Sequence, residues 1–211
     1  MCGRYTLRAN PKLVAEEFGL FDTPDLSPRF NIAPTQSVPV VRLLPGEERR
    51  HLVFLRWGLI PSWADDIAIG NRSINARSET AASKPTFRKA FRSRRCLIVA
   101  DGFYEWLKTG KHKQPYCIQL KSQRPFAMAG LWEQWHKQDQ PIESCTILTT
   151  DANELVAPIH DRMPVILRPE DYAAWLDPAC QDVDKLQLML KPFAAGLMTL
   201  EPVGDPASRA P

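Results

Sequence analysis

The chain has 211 residues, of which 27 are Lys or Arg and 24 are Asp or Glu, for a formal net charge of +3. An apolar fraction of 44%, with six Trp and nine Phe, excludes global disorder. No run approaches the roughly 18 apolar residues of a membrane helix, and the length fits one soluble domain with its own core.

Nineteen prolines against ten glycines predict short strands and rigid turns in place of long helices. Taken in chain order, residues 1–8 carry no targeting signal. Residues 10–19 read as a short helix, with Asn10 as N-cap, Pro11 at the first helical position and Gly19 closing it. Residues 22–36 are Pro-rich and read as irregular. Residues 37–43 and 51–57 predict two strands around a turn at Pro45-Gly46. Residues 60–72 read as a loop and 85–92 as a helix. Residues 96–107 read as a strand, a turn at Asp101-Gly102 and a second strand. Strands follow at 115–120, 125–131 and 143–149, then a short helix over 151–158 ending at Pro158. A short strand at 163–167, helices at 169–176 and 182–190, and a last strand at 197–203 complete the pattern. Without regular βαβ alternation, this predicts an α+β single domain: a curved antiparallel sheet or partly closed β-barrel with several short helices. The domain is expected to span residues 1–203, with 204–211 as a loose tail.

Charge is concentrated. Between Arg72 and Arg95 lie eight basic residues (Arg72, Arg77, Lys84, Arg88, Lys89, Arg92, Arg94 and Arg95) and one acid, Glu79. On a helix from Pro85, Arg88 and Arg92 share one face while Phe87 and Phe91 form the adjacent core face. A basic face over an apolar one suits phosphate binding or a solvated helix surface. Nearby Trp57 and Trp63 favour single strands, whose bases stack on aromatic rings.

The five cysteines are Cys2, Cys96, Cys117, Cys145 and Cys180, and no pair has C-x-x-C spacing. Neither a disulfide framework nor a zinc ribbon is expected, and a reducing cytoplasmic setting follows. No His/Cys pair has ligand spacing, so neither metal nor cofactor is expected. Cys96, Cys117 and Cys145 sit in apolar runs and read as small buried side chains, as does Cys180 more loosely. Cys2 differs because it follows the initiator Met. Trimming of Met1 gives an α-amine that ionises near about 7.7–8.0 beside a thiol near about 8.5. The amine of such an aminothiol condenses with an aldehyde to an imine, and the thiolate then closes a five-membered thiazolidine. The same pair can attack an acyl carbon.

Six motifs occur in order: Met1-Cys2-Gly3-Arg4-Tyr5, Arg29-Phe30-Asn31-Ile32-Ala33-Pro34, Arg56-Trp57-Gly58-Leu59-Ile60-Pro61, Asn75-Ala76-Arg77-Ser78-Glu79-Thr80, Asp101-Gly102-Phe103-Tyr104-Glu105-Trp106 and His160-Asp161-Arg162-Met163-Pro164. The set resembles the SRAP (SOS response-associated peptidase) family, over nearly the whole chain. The resemblance implies a single α+β domain with a basic groove for single-stranded DNA. It also implies a sensor of abasic sites, whose mature N-terminal Cys forms a thiazolidine crosslink with the ring-opened sugar. By motif, the reacting residue is Cys2, surrounded by Asn75, Glu105 and His160. His160 suits the proton shuttle of ring opening and imine formation. Glu105, beside Phe103 and Trp106, suits taking a proton from the α-ammonium at a raised pKa. Asn75 suits fixing the sugar or the Cys2 backbone. Arg4, Arg77 and Arg162 are the first candidates for phosphate contacts, with Lys84 and Arg88 behind them, and Trp63 is a candidate wedge against a base. The expected partner is single-stranded DNA containing abasic sites, bound by a monomer that joins the nucleoid when DNA is damaged. Two other readings stay open: a cysteine peptidase with Cys2 as nucleophile and His160 as base, and a non-covalent single-strand binder.

Overall fold

Short strands separated by Pro, Gly and Asn turns build two sheets in the computed structural model, which describes residues 2–204. The strands are β1 (Tyr5–Leu7), β2 (Arg29–Ile32), β3 (Ser37–Arg42), β4 (His51–Trp57), β5 (Asn75–Arg77), β6 (Arg95–Ala100), β7 (Gly102–Thr109), β8 (His112–Leu120), β9 (Phe126–Trp135), β10 (Ile142–Asp151), β11 (Arg162–Pro164), β12 (Ile166–Leu167) and β13 (Met198–Pro202). The helices are short: α1 (Pro11–Phe18), α2 (Ser78–Ala81), α3 (Arg88–Ser93), α4 (Tyr172–Leu176) and α5 (Val183–Leu188). The 204–211 tail expected from the sequence lies, apart from Gly204, outside the described residues.

Strands β4, β3, β6, β9 and β10 close into a five-stranded barrel. Four of its seams are antiparallel; the fifth is a brief parallel pairing of β10 with β4 at Ser144↔Arg56 and Cys145↔Trp57. β6 is buried along its whole length. One of its faces fills the barrel and the other is covered by α3 and α4. That is why Cys96–Ala100 reads as an unbroken apolar run and not as an alternation. The second sheet, in the order β13-β8-β7-β1-β2, is antiparallel throughout.

The chain passes from barrel to sheet at Asp101. The strand–turn–strand pattern of 96–107 is therefore a corner between two sheets. A Cβ on Gly102 would lie 2.9 Å from Thr6 Oγ1, so β1 and β7 meet closely only because Gly stands there. The Asp101 carboxylate, nearly buried, accepts from Thr6 Oγ1 at 2.5 Å, Arg8 N at 2.5 Å and Ala9 N at 2.8 Å. It pins β1, which begins three residues after Cys2. Asp101→Ala leaves those donors without partners and is expected to destabilise the protein by about 2 kcal/mol. The urea midpoint checks this; an unchanged midpoint would show that the strand is held by its ladder alone.

α1 forms as its sequence signals require. Asn10 accepts from Lys12 N at 2.9 Å, and Gly19 takes the left-handed conformation at φ 62°. Elsewhere the structure differs from expectation. The 22–36 stretch contains β2, and β5 and α2 precede α3, which begins at Arg88 after a turn over 85–87. The 151–158 segment is a set of turns, because the Asn153 side chain accepts from Leu155 N and Val156 N and competes with a helical ladder.

The basic segment is also redistributed. Arg72, Arg77, Lys84, Arg88, Lys89 and Arg92 are exposed. Arg94 pairs with Glu133 across β9. Arg95 is 2% exposed and donates to the carbonyls of Trp175, Phe91, Arg92, Asp177 and Cys180, tying α3 to the end of α4.

Candidate functional site

Four of the motif residues converge beside the open edge of β7. Cys2 is fully buried, and its carbonyl accepts from Asn75 Nδ2 at 2.9 Å. Asn75 is placed by β5, which pairs in parallel with β10 through Ile147↔Asn75. Its Oδ1 is buried with no hydrogen-bond partner among the described residues. Burial pushes the Cys2 thiol far up from its ordinary range, and the nearby Glu105 carboxylate adds to the effect.

Glu105 stands on β7 opposite Tyr116 of β8 and is 3% exposed. Burial raises its carboxyl above the ordinary range, while the chain's N-terminal ammonium and, after it, His160 pull it down. Glu105 and His160 line a cavity of about 290 Å³ together with Trp106, Lys108 and Lys113. His160 follows the turns after Asn153, and its Nδ1 accepts from Arg162 N at 3.0 Å and lies 2.9 Å from Asp161 Oδ1. An Nδ1 that accepts from Arg162 leaves the neutral ring's proton on Nε2.

Arg162 is inside the protein. Its guanidinium takes both oxygens of Glu79, at 2.8 and 3.0 Å, together with Asp151 at 2.7 Å and the Thr149 carbonyl at 2.6 Å. These contacts join α2, just past Asn75, to the segment that carries His160. Arg4 is half-buried and donates to Asn31 Oδ1 at 3.0 Å. Arg77 is exposed at the end of β5 and Lys84 and Arg88 are exposed around α3.

Trp63 is 56% exposed on the loop after β4. That loop is fixed from below: Trp135 Nε1 donates to the Ala64 carbonyl at 2.8 Å, and Lys137 pairs with Asp65. Gly58, at φ 131°, lets the loop leave β4, since a Cβ there would lie 2.6 Å from the Gly70 carbonyl oxygen. A large indole held out on a braced loop is available for stacking.

Sequence reasoning missed the cavity's Lys108 and Lys113 and the pairing of Arg162 with Glu79. The Lys-Thr-Gly-Lys-His-Lys run at 108–113 was a visible signal for the first. The second joins residues 83 positions apart, which no local pattern announces. Among the described residues no group of three or more His, Cys, Asp or Glu is placed to hold a metal ion. Among them, too, no helix is long and apolar enough to cross a membrane.

A closed barrel beside an antiparallel sheet, with few short helices, is the α+β class that the motif set implied. The family model for SOS response associated peptidase (SRAP) matches residues 1–208, and the chain belongs to that family. Among its relatives, the abasic site processing protein YoqW of Bacillus subtilis (strain 168) is 45% identical over 200 residues, covering 92% of this chain and 88% of that one. The abasic site processing protein HMCES of Xenopus tropicalis is 33% identical over 186 residues, covering 74% of this chain and 56% of that one. A crystal structure of a protein from Bacteroides thetaiotaomicron superposes with a TM-score of 0.89 at 27% identity, over 100% of this chain and 95% of that one.

Proposed function

We propose that this protein recognises abasic sites in single-stranded DNA and captures them covalently through the aminothiol of Cys2, once Met1 has been removed. The observation that carries the reading is the juxtaposition of Cys2, held by Asn75, with the Glu105–His160 cavity. The names of the relatives as abasic site processing proteins support the lesion.

The site suits the steps of capture. As the hemiacetal opens to its aldehyde, His160 is placed to give its Nε2 proton to the sugar ring oxygen while the Glu105 carboxylate takes the proton of the C1 hydroxyl and passes it back to His160. Glu105 takes a proton from the Cys2 ammonium, so that the amine adds to the aldehyde carbon. Water then leaves with a proton from the His160–Glu105 pair, giving an imine. The Cys2 sulfur adds to the imine carbon, its proton passes to the ring nitrogen by way of Glu105, and the thiazolidine closes. One water is lost overall and nothing is oxidised or reduced. The buried Oδ1 of Asn75 is an acceptor for an amine or sugar hydroxyl at this point.

The raised thiol pKa favours capture over peptidase chemistry. A cysteine peptidase attacks with a ready thiolate, whereas burial here raises the thiol pKa and favours its protonated form. An imine formed first by the amine needs the sulfur only in the second step.

Intact mass after reaction with an abasic oligonucleotide tests the proposal. The expected product is the chain without Met1 plus the oligonucleotide minus one water. An adduct on protein that retains Met1 would falsify the aminothiol mechanism, and hydrolysis of a peptide at Cys2 without any adduct would favour the peptidase.

Trp63 gives a separate expectation. Trp63→Ala is expected to weaken binding of a single strand by about 1–2 kcal/mol through lost base stacking. Because the side chain is exposed, the thermal midpoint is expected to stay unchanged. Fluorescence anisotropy with a labelled strand, beside a melting curve, reads both.

A further inference from the structure

The β7–β8 hairpin carries a concentration of positive charge that the basic segment at 72–95 does not include. Lys108 and Lys113 stand directly opposite each other in the hairpin register, and Lys111 and His112 form its tip around Gly110. All four are exposed, and among the described residues no ion pair engages any of them. Like charges facing across a ladder cost stability. Such a pair is relieved by an anion lying between the two ammonium groups.

The placement says where that anion lies. β1 pairs with β7 only at Tyr5↔Phe103 and Thr6↔Gly102, with a last backbone bond from Tyr104 N to the Arg4 carbonyl at 2.9 Å. Beyond that point β7 continues through Thr109 with no strand on this edge among the described residues. The open edge leads from Glu105 past Trp106 to Lys108. Lys108 and Lys113 share the walls of one cavity with Glu105 and His160.

We propose that the β7–β8 hairpin is a phosphate-binding arm: Lys108 and Lys113 hold the DNA backbone next to the captured sugar, with Lys111 extending the contact along the strand. The proposal rests on the reading of this cavity as the capture site. It assigns the nearest phosphate contacts to the hairpin and leaves Lys84 and Arg88, around α3, to more distant parts of the strand.

The test compares binding of an intact single-stranded oligonucleotide with crosslinking of the same strand carrying one abasic site, each across a range of salt. A Lys108→Gln/Lys113→Gln protein is expected to lose about 25-fold in affinity at about 0.1 M salt, roughly five-fold per lysine, and to lower the log–log salt slope by about 1.4. Lys108→Arg/Lys113→Arg is expected to restore both, because charge and not shape carries the contact. Lys121→Gln is the control: Lys121 is exposed and lies eight residues along from Lys113, roughly 26 Å at strand spacing. It is expected to change neither quantity. A glutamine double variant with the parental salt slope overturns the proposal, and so does an equal loss in Lys121→Gln. A parent chain that binds the strand but makes no Cys2 adduct overturns the capture chemistry instead, and the binding measurements still judge the lysines.

Discussion

Cys2→Ala and Cys2→Ser proteins are both expected to give no adduct that survives denaturation, yet both are expected to be trapped on an abasic strand when borohydride is present. The two variants keep a small second residue, so Met1 remains removable and the α-amine is retained. What they lack is the sulfur that closes the ring. An imine left open hydrolyses during denaturation, and hydride reduction of its C=N bond fixes it as a secondary amine. The parent protein needs no reductant. The sulfur's role is therefore read as the difference between the lanes of a denaturing gel with and without borohydride, and the amine's role as the band that borohydride restores. The burial that raises the Cys2 thiol pKa supports this order of events, because a sulfur held protonated is slow to attack first. A stable adduct on Cys2→Ala without reductant would place the reacting group elsewhere in the chain. A parent protein trapped only by borohydride would show that the ring does not close.

The local signals of the sequence were enough for the elements with strong chemistry of their own. Asn10, Pro11 and Gly19 defined α1 to the residue, and the Pro45-Gly46 turn set β3 against β4. Non-local pairings were not legible. β2 lies in a Pro-rich stretch and forms because β1 offers it an edge, through Tyr5↔Ile32 and Leu7↔Arg29. The corner at Asp101 resembles a hairpin turn in sequence. Only the carboxylate's reach to Thr6, Arg8 and Ala9, more than ninety residues away, shows that the chain changes sheets there. Charge was legible as a sum and not as a surface. Arg94 and Arg95 contribute to the basic segment on paper, but one serves Glu133 and the other five backbone carbonyls. Arg162, expected at a phosphate, has its guanidinium on Glu79 and Asp151. The grouping of Cys2, Asn75, Glu105 and His160 was expected only from the family resemblance, since nothing in their spacing alone places them together.

Glu105→Gln is expected to slow adduct formation about 100-fold, the loss of one general base, while making the protein more stable at neutral pH. The two effects have one cause. Burial raises the Glu105 carboxyl above its ordinary range, and the N-terminal ammonium and His160 only partly offset this. A carboxyl whose folded pKa exceeds its unfolded value favours folding in its protonated form. That contribution is complete below the unfolded value of about 4.3 and is lost as pH rises through the folded one. The parent protein therefore becomes less stable across that window, and the glutamine variant, which never ionises, does not. Their urea midpoints are expected to coincide below about pH 4 and to separate above it, with the variant the more stable. The rate has the opposite dependence. Only ionised Glu105 accepts the ammonium proton of Cys2, so the parent's single-turnover rate is expected to climb as pH passes through the raised Glu105 pKa, and the variant is expected to lack that limb. If Glu105→Gln captures an abasic strand at the parental rate and with the parental pH profile, the carboxylate is not the base. If its midpoint falls below the parent's at neutral pH, burial of this carboxylate is not a cost to the fold.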